Sequence, residues 1–304
     1  MPLLKTSVIR KITLFLVAGL ISVSSLAADF NQTQRLANQG DIEAQNALAI
    51  MYSSGKGVRQ DYVKSTEWLR KAANQGDSTA QLRLGVMYVA GHGVDQDSVK
   101  AAGWIEKAAN QGDAEAQNIL ATMYSTGEGV RQDYVKSTEW YTKAANQGHP
   151  EAQYELGTMY HLGEDVRQDY RRAAQWYVKA ADQGHAKAQF LLGAMYYLGQ
   201  GTHQDYAKAM QWYVKAANQG VDEAQFKLGL MYGKGQGVRQ DYTKAAPWFI
   251  KAANQGHPEA QYFLGFMYED GKGVQKNYAT AKEYFGRACD NGLQVGCDNY
   301  RKLN

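Results

Sequence analysis

Residues 41–76 read DIEAQNALAIMYSSGKGVRQDYVKSTEWLRKAANQG, and residues 113–148 read DAEAQNILATMYSTGEGVRQDYVKSTEWYTKAANQG. The same order of residues returns every 36 positions with no insertion or deletion. An Ala-Gln pair marks the register seven times, beginning at Ala44, Ala80, Ala116, Ala152, Ala188, Ala224 and Ala260. A fixed period of this length predicts an array of stacked units.

Each unit predicts two helices joined by short turns. Ala44 and Leu48 fall on one face of the first helix at helical spacing. Gly55 ends that helix, because glycine adopts the left-handed backbone found at helix ends. Asp61 caps the second helix, which ends before Gly76. Because the turns are short, the two helices must lie antiparallel.

The fold class that follows is all-α: a right-handed α/α superhelical solenoid of seven two-helix repeats with a capping half-repeat at each end. One helix pair cannot cover its own apolar face, so stacking is needed to bury a core. The solenoid is expected to occupy residues 28–304 and its C-terminal cap residues 293–304. The repeats begin near residues 41, 77, 113, 149, 185, 221 and 257.

The N-terminus predicts a signal peptide over residues 1–27. Three basic residues open the chain, namely Lys5, Arg10 and Lys11. The apolar run Ile12–Ile21 is shorter than the roughly 20 residues of a spanning helix. Small residues at Ser25 and Ala27 form a cleavage site, so Ala28 would begin the mature chain. The alternative is an uncleaved N-terminal anchor.

Charge excludes several kinds of partner. Cleavage removes three positive charges and leaves 30 basic and 30 acidic residues. A protein that holds nucleic acid needs an excess of Lys and Arg, so no nucleic-acid partner is predicted. We also predict no membrane insertion after cleavage, and a monomer. A periplasmic location is expected, with secretion or cell-surface display as alternatives.

The repeated residues resemble a known family. The order Ala-x-x-x-Leu-Gly-x-x-Tyr, Gly-x-Gly-Val, Asp-Tyr-x-Lys-Ala, then Trp and Lys-Ala-Ala is similar to the Sel1-like repeat family, an α/α solenoid related to tetratricopeptide repeats. The resemblance covers about residues 29–304. It implies an adaptor or ligand-binding scaffold, often of bacterial envelopes or the host interface, in a family whose members are not generally enzymes. We predict no cofactor and no catalytic residues.

Cys289 and Cys297 lie eight residues apart, at the end of one predicted helix and the start of the next. Such a corner brings two cysteines close enough for a disulfide, and export makes oxidation expected. The pair also resembles the cysteine-rich branch of the same family, where cysteines tie helices together. The alternative is a pair of metal ligands, but no histidine lies nearby to complete that site.

That branch also implies a second function class, a weak penicillin-binding or β-lactamase-like or other peptidoglycan-related hydrolase. Ser53-Ser54-Gly55-Lys56 has the letters of a Ser-x-x-Lys motif. It falls at a helix end, whereas the chemistry needs the serine at a helix start, and no Lys-Thr-Gly follows. We therefore predict no catalysis. His149, His185 and His257 share one repeat position, where a cap role is favoured over metal binding.

The first helices also carry positions that vary between repeats. Glu43, Asn46, Ile50 and Ser53 mark them in the first repeat, at i, i+3, i+7 and i+10. We call these positions, in all seven repeats, the first-helix stripe. By similarity to tetratricopeptide repeats it would face a concave groove. Its second position becomes aromatic from the fourth repeat onward, at Tyr154, Phe190, Phe226 and Tyr262.

The stripe of repeats four to seven is the candidate binding site for a protein or peptide. Its further apolar members are Tyr197, Leu230 and Phe266, and its charged members are Glu151, Lys187, Glu223 and Glu259. Exposed aromatics would be anchors, and the glutamates would select a partner with Lys or Arg. The alternative is that the aromatics pack against the second helices. A third interpretation keeps the scaffold but makes it a secreted or surface factor that binds a host protein.

Overall fold

The computed structural model describes residues 30–163 and 166–303. These residues form sixteen helices and no strand, which confirms the all-α prediction and the repeat period. The predicted signal peptide over residues 1–27 and the mature start at Ala28 lie outside the described residues.

The helices alternate along the chain as predicted. Helix α1 (Phe30–Asn38) and helix α16 (Gln294–Lys302) are the two end caps. The first helices of the repeats are α2 (Ile42–Ser54), α4 (Ser78–Ala90), α6 (Ala114–Thr126), α8 (Pro150–Leu162), α10 (Ala186–Leu198), α12 (Asp222–Lys234) and α14 (Pro258–Asp270). The second helices are α3 (Tyr62–Asn74), α5 (Ser98–Asn110), α7 (Tyr134–Asn146), α9 (Tyr170–Asp182), α11 (Tyr206–Asn218), α13 (Tyr242–Asn254) and α15 (Tyr278–Asp290).

The chain forms two compact units, one ending at Ala152 and one beginning at Gln153. Within each unit a helix packs mainly on the helices next to it in sequence. This is the arrangement of a stacked array, in which each repeat contacts its neighbours. Among the described residues, no helix has the length and apolar character needed to cross a bilayer.

Side-chain caps and glycines set the helix boundaries. The Asp41 carboxylate accepts a hydrogen bond from the Ala44 N–H at 2.7 Å, and Asp61 does the same for Lys64 at 3.0 Å. Gly55 ends α2 with φ of 74°, a value that favours glycine. The second glycine of the turn has a packing role, as the sixth repeat illustrates. At Gly237 an added Cβ would lie 2.9 Å from the Tyr206 carbonyl of the preceding repeat.

A buried glutamine joins three successive helices in each repeat, and we call this arrangement the glutamine clasp. Gln189 on α10 donates to the Ala181 carbonyl at the end of α9, at 3.0 Å. Its side-chain oxygen accepts from Gln219, just after α11, at 2.8 Å. Gln219 also donates to the Gly184 carbonyl at 2.9 Å. The recurring Ala-Gln and Asn-Gln-Gly sequences are thus two halves of one hydrogen-bonded contact.

The clasp recurs in both units. In every repeat the clasp glutamine accepts a hydrogen bond from a side-chain amide at the end of the second helix. These acceptors are Gln45, Gln81 and Gln117 in the first unit, and Gln153, Gln189, Gln225 and Gln261 in the second. In the last repeat Asn291 replaces glutamine as the donor, at 2.9 Å from Gln261. Each clasp glutamine is at most 5% exposed, so the pairing satisfies an amide that burial would otherwise penalise.

Glycine makes room for large rings in the core of the second unit. Tyr213 is 1% exposed, and an added Cβ on Gly193 would lie 2.8 Å from its ring. The same pairing joins Gly157 with Tyr177, Gly229 with Phe249 and Gly265 with Phe285. In the third repeat, by contrast, Ala121 occupies the glycine position.

Each tryptophan lies beneath a lysine three residues later in the same second helix. The ammonium-to-centroid distances run from 3.7 to 4.3 Å over Trp68, Trp104, Trp140, Trp176, Trp212 and Trp248. A cation over an indole face is attracted by the ring quadrupole. The lysine also lies in the last turn, where the helix dipole favours positive charge.

The C-terminal cap contains the disulfide. Cys289 in α15 and Cys297 in α16 are joined, with their Cα atoms 4.5 Å apart. Gly296 allows this approach, because an added Cβ would lie 2.9 Å from the Ala288 Cβ and 3.0 Å from the Phe285 carbonyl. The predicted cysteine pair is therefore at bonding distance, at the corner where the last two helices meet.

Two glycine-to-alanine changes should have opposite effects on stability. Gly193→Ala places a methyl group against the buried Tyr213 ring, and overpacking of this kind costs about 1–3 kcal/mol. Gly103→Ala in α5 meets no atom within 4 Å and should stabilise the protein by up to about 1 kcal/mol. Urea titration measures both changes. Equal effects of the two substitutions would contradict the packing described here.

Removal of the disulfide should loosen the C-terminal cap. The paired change Cys289→Ser and Cys297→Ser is expected to lower the free energy of unfolding by about 2–3 kcal/mol through the entropy of the unfolded chain. Compared with the wild-type protein, the variant should show faster amide hydrogen exchange in α16, and a smaller change in α12. Unchanged exchange in α16 would show that packing alone holds the cap.

Candidate functional site

The four stripe aromatics lie half-buried at the edge of the second unit's core. Each ring contacts the buried ring of its own repeat's second helix, with centroid distances of 5.7 to 6.1 Å. The pairs are Tyr154 with Tyr177, Phe190 with Tyr213, Phe226 with Phe249, and Tyr262 with Phe285. Each ring therefore packs on one side against the second helix of its repeat, while the residue remains partly exposed.

The same stripe position also contacts the cap residue of the next repeat. Tyr154 stacks on His185 and Phe226 stacks on His257, each with a centroid distance of 4.5 Å. In the first repeat, Asn46 instead donates to the Asp77 carboxylate at 3.0 Å. The stripe residue and the cap residue of the next repeat thus change together along the chain. They form a polar pair in the first repeat and a pair of stacked rings in the fourth and sixth.

The three histidines act as helix caps. The Nδ1 atoms of His149, His185 and His257 accept hydrogen bonds from the main-chain N–H three residues later, at 3.1 to 3.3 Å. His149 also pairs through Nε2 with Glu115 at 2.7 Å. Among the described residues, no group of His, Cys, Asp and Glu side chains could hold a metal ion.

The stripe aromatics of repeats six and seven are extended by a further ring, Phe263. Phe263 is 37% exposed, lies parallel to Phe249 with centroids 5.5 Å apart, and is 5.8 Å from Phe226. Phe266 lies edge-on to Tyr262 at 4.8 Å. Sequence reasoning missed Phe263 because its position lies outside the stripe. The one available signal was its adjacency to Tyr262.

Two other predicted site residues are partly engaged within the protein. The Tyr197 hydroxyl donates to Gln236 in the following repeat at 3.0 Å. Leu230 packs half-buried against the core formed by α13 and α14. Both side chains are therefore less exposed than Phe263.

The charges of the stripe residues are also partly compensated within the protein. Glu223 and Glu259 are exposed and Glu151 is half-buried. A hydrogen bond with the Asp222 side chain, followed by burial, raises the pKa of the Glu223 carboxyl, while the nearby Lys187 opposes this shift. Glu259 lies 3.3 Å from His257. Lys187 thus faces an acid of its own chain, so the stripe glutamates carry less uncompensated negative charge than the sequence alone indicates.

The Ser-x-x-Lys letters form no catalytic arrangement in the described structure. The hydroxyls of Ser53 and Ser54 donate to the Ile50 carbonyl, at 3.1 and 2.7 Å. Lys56 is exposed in the turn that follows α2, and its N–H donates to Ser54. Both serines are therefore at a helix end, bonded to its main chain.

Comparison with known proteins agrees with the repeat architecture. A Sel1 repeat model matches residues 42–77, 78–113, 114–149, 150–185, 186–221, 222–257 and 258–293. No curated protein matches the chain.

Two crystal structures are similar over most of the chain. One is a protective antigen present in uropathogenic Escherichia coli strains with an SLR fold, at 37% identity and a TM-score of 0.86, covering 89% of this chain and 58% of that one. The other is a Sel1 repeat protein from Oxalobacter formigenes, at 37% identity and a TM-score of 0.72, covering 90% of this chain and 79% of that one. With seven matched repeats, the chain belongs to the Sel1 repeat family.

Proposed function

We propose that this protein is an exported, non-catalytic scaffold that binds a segment of a partner protein along the first-helix stripe of repeats four to seven. The Sel1 fold is typical of protein-interaction proteins. One observation carries the proposal. The backbone, caps and glutamine clasp repeat almost unchanged, while the stripe changes from Asn46 and Asn118 to half-buried aromatic rings.

The composition of the site favours an apolar segment with a nearby Lys or Arg. Phe226, Tyr262 and Phe263 supply aromatic area that is already held by contacts with the core, so little side-chain entropy is lost on binding. The exposed carboxylates of Glu223 and Glu259 would attract a cation beside the apolar residues. The interface would concentrate its energy in repeats six and seven, where the rings are most numerous.

The predicted signal peptide and the cysteine pair support an oxidising location, which we take to be the periplasm. The description of the Escherichia coli relative as a protective antigen favours a second candidate, in which the partner is a host protein. Cell fractionation with a periplasmic marker separates the two candidates. Recovery with the marker supports the first, and recovery in the medium or on intact cells supports the second.

Binding should weaken when a stripe aromatic is replaced by the residue that other repeats carry at the same position. Phe190→Asn and Phe226→Asn introduce the residue that repeats one and three carry at the same position, Asn46 and Asn118. Each change should weaken binding of a captured partner by about 1–3 kcal/mol, measured by titration calorimetry. Thermal unfolding separates this loss from a loss of fold.

The control is Tyr278→Ser, which removes a 54% exposed aromatic ring outside the stripe and introduces the residue found at Ser98 in repeat two. This variant should bind normally. If both phenylalanine variants stay folded and bind as tightly as the wild-type protein, the stripe is not the binding site.

A further inference from the structure

The second helices of repeats four to six form a basic surface that the partner-binding stripe does not use. Helices α9, α11 and α13 carry seven cationic side chains and one acid, Asp182 at the end of α9. The cations are Arg171, Arg172, Lys179, Lys208, Lys215, Lys244 and Lys251. The corresponding helices of the first three repeats contain acids among their cations, at Glu67, Glu106 and Glu139.

Three of the seven cations are neutralised locally. Arg172 pairs with the N-cap carboxylate of Asp169, Lys208 with that of Asp205, and Lys244 with that of Asp241, at 3.5, 3.8 and 3.7 Å. The other four are Arg171, Lys179, Lys215 and Lys251. They are exposed and make no ion pair with any residue in the described part of the chain.

The unpaired lysines are held in place by tryptophan. Lys179, Lys215 and Lys251 lie 4.0, 3.8 and 4.3 Å above Trp176, Trp212 and Trp248. These three indoles are half-buried, as is Trp104 of the first unit, whereas Trp68 and Trp140 are buried. A partly exposed indole therefore lies beside a fixed positive charge once per repeat, at the same register in three successive repeats.

Exposed amides complete the pattern in two of the repeats. Gln175 and Gln211 precede Trp176 and Trp212 and lie one turn before Lys179 and Lys215, on the same helix face. An amide both donates and accepts hydrogen bonds, as a hydroxyl does. In repeats one and three the same position is occupied by Glu67 and Glu139, which would repel an anion.

From this pattern we propose that the surface of Gln175, Lys179, Gln211, Lys215 and Lys251 binds a linear acidic polysaccharide. Periodic cations suit a polymer with periodic anionic groups, and the intervening amides suit its hydroxyls. A lysine already covers one face of each of these indoles, so a nucleobase cannot stack on that face. This surface is separate in its residues from the first-helix stripe, so the inference is independent of the proposed function.

The test uses heparin fragments as the acidic polysaccharide and the full mature protein. The variant Gln175→Glu/Gln211→Glu restores the residues of repeats one and three, which the same backbone accommodates. Each new carboxylate lies one turn from a lysine and repels the ligand, so the Kd for heparin should rise at least about tenfold in 50 mM NaCl. The control Gln200→Glu/Gln275→Glu adds the same charge in two turns and should change the Kd less than twofold.

Three further measurements decide the class of ligand. Wild-type affinity for heparin should fall steeply as salt rises, and neutral dextran should not bind. An equal loss of heparin affinity in both double variants would mean that binding depends only on the net charge of the protein, and would overturn the site. Binding of polyglutamate or a single-stranded oligonucleotide as tight as that of heparin would overturn the assignment to polysaccharide. No detectable binding of heparin at low salt would overturn the proposal as a whole.

Discussion

The structure depends on the hydrogen bonds of one buried side chain, the glutamine that follows the register alanine of each repeat. Gln189 satisfies both ends of its amide within the protein, through the Ala181 carbonyl of the preceding helix and Gln219 of the following one. A buried amide without partners is costly, so this residue sets the spacing of three helices at once. Because the contact recurs in every repeat, the register alanine beside it can be fully buried and the helices can approach closely.

A repeat held by its own internal contacts leaves other positions free to differ. The glycine turns, the aspartate caps and the tryptophan-lysine pairs recur, while the first-helix stripe and the exposed positions of the second helices do not. In the second unit the stripe becomes aromatic, and the second helices of repeats four to six keep a single acid, Asp182. The partner-binding proposal therefore rests on departures from the repeat, and the polysaccharide proposal combines such departures with the recurring tryptophan-lysine pairs.

Much of this arrangement follows from sequence alone, because the features concerned are local. The Asp61 cap, the Gly55 helix end and the Cys289–Cys297 pair each depend on residues a few positions apart. The period of the Ala-Gln pair supplies the stacking. The same logic identified the histidine caps, since His185 occupies the position of Asp77.

Other features could not be predicted, because they depend on contacts between helices. Whether Phe226 is exposed depends on Phe249, His257 and Phe263, three side chains from three different helix or turn positions. The attraction between Lys187 and Glu223 likewise joins neighbouring repeats. The sequence therefore indicates more uncompensated negative charge on the stripe than the structure has. Side-chain exposure and charge compensation are tertiary properties, and the repeat period specifies neither.

A double-mutant cycle on the clasp tests the central claim most directly. It measures the free energy of unfolding by urea titration for the wild-type protein, Gln189→Leu, Gln219→Ala and the double variant. We predict that the two residues are coupled by about 0.5–2 kcal/mol, because each single change removes the same hydrogen bond. Additive effects within about 0.3 kcal/mol would contradict it and show that the apolar core alone sets the repeat.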